Sequence, residues 1–126
     1  VTTKCLIEDL NYKEEQVNFI IPLGATINMD GTALFECVAV IFIAQLYGID
    51  LSYIDQFLIL ILALITSVGV AGIPSASFVA ILVILSAVGL PFEAVGIILG
   101  IDRILDMLRT SVNVFGDSCC VSFLGK

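Results

Sequence analysis

Asp106 and Arg109 stand three residues apart, with Asp102, Thr110, Asn113 and Asp117 close by in the chain. At about 100° per helical residue these six fall within an arc of about 100°, so a single helix turns all of them to one side. Ile104, Leu105, Met107, Leu108, Val112 and Phe115 cover the other sides. Arg103 falls at the arc's edge, where it can snorkel or pair locally, and is left out of the site. A polar stripe on an otherwise apolar helix marks a pathway inside a bundle rather than a solvated face. With this spacing a zwitterion can set its ammonium on Asp106 and a carboxylate on the planar fork of Arg109, which fits an acidic amino acid or a dicarboxylate. The competing reading is an internal ion pair in which the two neutralise each other.

A second polar centre, Asn28-Met29-Asp30-Gly31-Thr32, interrupts the apolar run from Val17 to Leu46. Asn and Gly favour a break, and in hydrocarbon a broken helix is tolerated only where it is packed in protein or lines a cavity. Such a break turns backbone carbonyls and the Asp30 carboxylate toward one point, a candidate cation site. The plain alternative is a turn between two short helices. Asp30, Asp102, Asp106 and Asp117 against Arg109 leave a surplus of roughly three negative charges, and buried charge on that scale needs compensation. Oxygen donors from carboxylates, amides and carbonyls suit a hard cation such as Na+, and no soft ligands are placed for a transition metal. Glu36, one turn past Thr32 in an apolar segment, is the proton-carrier candidate, since desolvation disfavours its charged form and the chain has no histidine.

The elements that must position these residues are those of a membrane protein. Hydrophobic residues make up 60% of the chain and charged ones 13%, against about 25% in a soluble domain. Mean hydropathy is +1.14. The net charge of -7 excludes a nucleic-acid footprint and favours cations as ligands. Cys5, Cys37, Cys119 and Cys120 form no metal-binding spacing and read as small apolar residues. At 126 residues without an initiating Met, the sequence reads as a fragment.

The expected fold is all-α: a broken transmembrane helix, a re-entrant helical hairpin and a final polar-striped transmembrane helix. Residues 1–14 form a helix end and polar loop, with Asn11 as the expected cap of the next helix. Residues 15–47 form the broken helix, ended by Gly48-Ile49-Asp50, with Tyr47 at the interface. As one helix, Phe57 to Leu90 would be about 50 Å long, well beyond a hydrocarbon core of about 30 Å. It must fold back at Gly69-Val70-Ala71-Gly72-Ile73-Pro74-Ser75, giving a re-entrant hairpin over 54–90. Two short full spans are the alternative and require a thinned bilayer. After a turn at Gly89-Leu90-Pro91, the last helix covers 92–118.

The NMDGT segment at 28–32, Ala71-Gly72-Ile73-Pro74, and IDRILDMLRTSVNVFGD from Ile101 to Asp117 together resemble the glutamate/aspartate and dicarboxylate:cation symporters, which include the excitatory amino acid transporters. The motifs stand in that family's order and spacing and cover nearly the whole chain. The resemblance implies the end of a first re-entrant hairpin, a broken seventh helix, a second re-entrant hairpin and an eighth helix. It further implies a homotrimer in the plasma membrane, in contact with lipid, whose protomers move substrate by an elevator-like motion.

Carried over by motif position, Asp106 holds the substrate amine and Arg109 its side-chain carboxylate. Thr32, Thr110 and Asn113 complete the shell, with Ile73 and Ser77 at the gating hairpin tip. Gly24, Asn28, Asn113 and Asp117 form one sodium site, Asn28 and Asp30 part of another, and Thr26 with the backbone of Ser67, Val68 and Val70 a third. Ser75 and Ser77 replace residues more often glycine in relatives. Glu36 stands where proton-coupled members carry Glu and sodium-only members Gln, favouring proton co-transport. The serine-rich tip of the first hairpin and six earlier helices are absent, so this fragment alone is not expected to transport. Retained Asp106 favours glutamate or aspartate over a C4 dicarboxylate. Two rivals remain, a channel and an intramembrane aspartyl protease built on Asp30 and Asp117; the protease needs one of the two acids protonated and is opposed by Arg109 and Asn113 on the same face.

Overall fold

The computed structural model describes residues 1–69 and 76–124, and those residues are helical with short connections. The chain begins with α1 (Thr2–Lys4), which widens into a π-helical turn over Cys5–Asp9. Then follow α2 (Glu14–Ile27), α3 (Asp30–Leu46), α4 (Tyr53–Gly69), α5 (Ala76–Val88) and α6 (Val95–Leu124). Glu14 and Glu15 occupy the first turn of α2, where a carboxylate suits the positive end of the macrodipole. Asn11 does not cap that helix. The residue preceding α2 is Lys13, without a side-chain cap, and Asn11 instead takes a left-handed φ of 55°, which its short polar side chain tolerates.

The expected break is present. Asn28 and Met29 leave helical geometry with ψ of 66° and 47°, and α3 restarts at Asp30. Taken across this break, Glu14–Leu46 is the one described stretch long and apolar enough to cross a membrane. Gly48 ends α3 with φ of 64°, and Ile49 N donates back to Ala44 O at 2.9 Å, satisfying a carbonyl that the helix end would otherwise orphan. Helix α4 starts earlier than its apolar run. Ser52 Oγ accepts from Asp55 N at 3.2 Å while Asp55 Oδ2 accepts from Ser52 N at 3.1 Å, a reciprocal cap that pulls Tyr53 into the helix.

Helices α4 and α5 pack against each other and both pack against α3. At 1.5 Å per residue they are about 25 and 20 Å long, each short of a bilayer core of about 30 Å. The segment that joins them, with the expected site residues Val70 and Ile73, lies outside the described residues. The last helix is displaced from the expected 92–118 at both ends. Pro91 is followed by a turn in which Val95 N donates to Phe92 O, so α6 begins three residues later. Past Gly116 the helix does not stop at Ser118, and α6 runs on to Leu124.

Two apolar clusters flank the middle of α6. The larger joins Val40 and Ile43 of α3, Ile59 and Ala63 of α4, Ile81, Ile84 and Leu85 of α5, and Ile98 near the start of α6. The smaller joins Leu6, Val17 of α2 and Val121 near its end. Between them α6 lies against the α2–α3 break, so the apolar contacts at its two ends hold its polar middle in register.

Candidate functional site

The α2–α3 break reaches α6 through three glycines. A Cβ at Gly24 would collide with the Asp117 carboxylate, one at Gly116 would stand 2.9 Å from Asn28 Nδ2, and one at Gly31 would meet the backbone carbonyl of Arg109. Close approach lets short polar side chains span the gap. Asn28 Nδ2 donates to Asp117 Oδ1 at 2.9 Å, and Asp117 is buried. Asn113 Oδ1 accepts the Gly31 amide at 2.8 Å, while its Nδ2 donates to Thr32 Oγ1 and to the Met29 thioether, each at 3.2 Å. The unwound segment is therefore fastened to α6 by Asn113 on one side and Asp117 on the other.

Asp30 lies at the rim. It is exposed, yet its Oδ2 approaches Gly116 and its charge reaches Asp117. Asp30, Asn28 and Asp117 thus share one neighbourhood. Among the described residues no three acidic, Cys or His side chains cluster as a metal cage. Any cation held here needs amide and backbone oxygens beside the carboxylates; Gly24 O accepts from Asn28 N at 2.8 Å, and Asn113 Oδ1 accepts from Gly31 N at 2.8 Å.

One turn toward the start of α6, Arg109 is only 8% exposed. Its Nη2 donates to Asp106 Oδ1 and lies 3.7 Å from Asp102 Oδ1. Phe35 of α3 covers the guanidinium, with its ring centre 4.6 Å from Cζ. Asp106 and Arg109 therefore neutralise each other in this structure, the ion-pair arrangement of the two readings. Half of the fork stays open: Nη1 is buried and has no hydrogen-bond partner among the described residues. A buried, unpartnered donor of this kind is costly and points to a missing acceptor.

The polar stripe is only partly turned inward. Arg109 and Asp117 are buried and Asp102 and Asn113 half-buried, while Asp106 and Thr110 are exposed beside them. Arg103 is exposed, in keeping with its place at the edge of the arc. Thr32 and Ser77 are buried, and Thr32 touches Asn113. Of the third expected cation group, Thr26 is exposed and donates to Leu23 O of its own helix at 2.7 Å, Ser67 Oγ donates to Leu64 O at 3.1 Å, and Val70 lies outside the described residues. Each hydroxyl finds a carbonyl one turn back, which satisfies it locally. Val68 is exposed on α4, where only its backbone is available for such a role.

Glu36 is fully buried between α3 and α4, and Thr66 Oγ1 stands 2.6 Å from its Oε2. Sequence reasoning missed Thr66, because nothing in the local pattern registers an apolar helix against Glu36. It also missed Phe35 and the Met29 thioether, which read as ordinary apolar residues.

The profile of the sodium:dicarboxylate symporter family matches residues 1–126. The chain belongs to this family. It is 51% identical over 118 residues to excitatory amino acid transporter 2 of Homo sapiens, covering 94% of this chain and 21% of that protein. It is 48% identical over 118 residues to an excitatory amino acid transporter of Caenorhabditis elegans, covering 94% of this chain and 24% of the relative. With the proton/sodium-glutamate symport protein of Bacillus caldotenax it shares 50% identity over 109 residues, 86% of this chain and 26% of that protein. The chain thus spans about a quarter of the length of these curated relatives. Family membership agrees with the all-α membrane fold and with the resemblance carried by the three motifs.

Proposed function

We propose that the protein carrying this sequence is a sodium-coupled symporter of acidic amino acids, glutamate or aspartate, working by alternating access. The observation that carries the reading is the buried Arg109 fork, with one nitrogen on Asp106 and the other lacking an acceptor among the described residues. An incoming side-chain carboxylate supplies that acceptor, and the substrate ammonium takes over Asp106. Thr32, Asn113 and Thr110 line the path between them, and Ile73 and Ser77 belong to the gating end of the hairpin. Sodium is cargo, held by Asn28, Asp117, Asn113 and the Gly24 backbone, with Asp30 and Asn28 in a second position. A third position uses Thr26 with the backbone of Ser67, Val68 and Val70. Glu36 carries a co-transported proton. The protein works as a homotrimer in the plasma membrane, with residues 1–14 closing a first re-entrant hairpin and 54–90 forming the second. It performs no chemical conversion.

The full-length protein in liposomes accumulates labelled aspartate or glutamate when sodium is outside and not when choline replaces it. Sodium-independent accumulation overturns the reading. Succinate competing as well as aspartate at equal concentration identifies a C4-dicarboxylate carrier instead, since a dicarboxylate has no ammonium for Asp106.

A further inference from the structure

We propose that Thr66 is a positioning residue for Glu36, its hydroxyl holding the carboxyl group on the first arm of the hairpin in both proton states. The inference rests on the reading of Glu36 as the proton carrier and adds the partner that such a carrier needs. Thr66 Oγ1 lies 2.6 Å from Glu36 Oε2, 2.8 Å from Leu62 O and 3.3 Å from Ala63 O. A hydroxyl has one proton to donate and two lone pairs with which to accept. With Glu36 charged, the hydroxyl donates to Oε2. When Glu36 carries a proton, the carboxyl O–H donates to Oγ1 and the hydroxyl turns its own proton to Leu62 O. One proton arrives on Oε2 and one hydroxyl rotates; no covalent bond of the protein changes.

The bridge from α3 to α4 therefore survives protonation with its direction reversed. It is also the sole hydrogen bond of this side chain among the described residues, because Oε1 is buried without a partner. Other groups around Glu36 do not duplicate the role. From α6 comes the charge of Arg109, already paired with Asp106 and near Asp102. From α3 comes the neighbouring Cys37 thiol. Helix α5 carries no ionisable residue, and the Tyr53 and Asp55 side chains of α4 lie about three turns away from Thr66. A threonine satisfied only by its own helix would be indifferent to the proton on Glu36.

The test is the pH profile of sodium-driven uptake by the full-length protein in liposomes. Thr66→Val removes the hydroxyl and keeps the shape. A hydrogen bond to a charged group is worth more than one to a neutral group, so the charged state loses more. The midpoint of the profile then moves by about one pH unit toward alkaline values, a tenfold change in apparent proton affinity. Thr66→Ser restores the wild-type midpoint, and Thr66→Ala repeats the shift should the valine variant fold poorly. Wild-type midpoints in Thr66→Val and Thr66→Ala, with Glu36→Gln abolishing pH dependence, overturn the role of Thr66 alone. Persistence of pH dependence in Glu36→Gln rejects the proton-carrier assignment itself and takes this inference with it.

Discussion

Gly31→Ala tests the contact on which the site depends. The added Cβ would stand 2.5 Å from Arg109 O, 3.0 Å from Val112 Cβ and 3.1 Å from Asn113 Oδ1, whereas ordinary contact begins at 3.4 Å. The nearest obstacle is a backbone carbonyl inside α6, which cannot rotate aside. Helix α3 must retreat by roughly 0.9 Å, which stretches the bond from Gly31 N to Asn113 Oδ1 from 2.8 Å to beyond hydrogen-bond range. Overpacking costs about 1–3 kcal/mol and the lost bond about 0.5–1.5 kcal/mol, so a loss of about 2–4 kcal/mol is expected. The same retreat carries Thr32 and Asp30 away from Arg109 and Asp117. Each lost 1.4 kcal/mol of binding is about tenfold in affinity, so a loss of roughly 10- to 100-fold in uptake at limiting substrate is expected. Thermal unfolding of the purified full-length variant, with and without sodium and aspartate, measures both effects, because ligand that binds only the folded state raises the midpoint. A variant with the wild-type midpoint and the full ligand-induced rise would show that α3 and α6 do not meet at Gly31.

Two further perturbations read other parts of the structure. Arg109→Gln removes the buried fork and strands any substrate carboxylate, so uptake of acidic amino acids falls by about 2–5 kcal/mol in apparent binding while neutral amino acids gain as competitors; unchanged preference for acidic substrates in a competition assay removes Arg109 from that role. Gly89 has a φ of 70° between α5 and α6, so Gly89→Ala lowers stability by about 1–2 kcal/mol and Gly89→Asn by less. Equal melting midpoints for glycine and alanine there would contradict the left-handed turn.

Local chemistry made several features legible in the sequence. Asn28 and Gly31 announce the break, Gly48 and Gly89 the helix ends, and the 3.6-residue period collects Asp102, Asp106, Arg109, Asn113 and Asp117 on one side. Where the sequence reading missed, the decisive contact was non-local or the competing signals were close in strength. Lys13 rather than Asn11 precedes α2, because Asn serves a left-handed turn as readily as a cap. The pairing of Thr66 with Glu36 and the stacking of Phe35 on Arg109 depend on how three helices are registered, and no spacing within one helix encodes that. The glycines at 24, 31 and 116 were visible as residues, but their use as contact points needed the partner helix to be known.

The position of the polar band between two apolar clusters also bears on the coupling between substrate and cation that the proposed function requires. Arg109 is already engaged by Asp106 and Asp102, and Asp117 is buried with one amide donor as its described hydrogen-bond partner. An acidic amino acid adds a further net negative charge to a region where acids outnumber the single guanidinium. Its side-chain carboxylate can satisfy Nη1, yet placing the extra charge near the buried Asp117 is unfavourable unless positive charge arrives with it. A cation bound by Asn28 and Asp117 alone faces the converse difficulty: it immobilises the break without filling the Arg109 fork. The cation thus removes an electrostatic penalty that the acidic substrate would otherwise meet, and because coupling is reciprocal the substrate strengthens cation binding by the same factor.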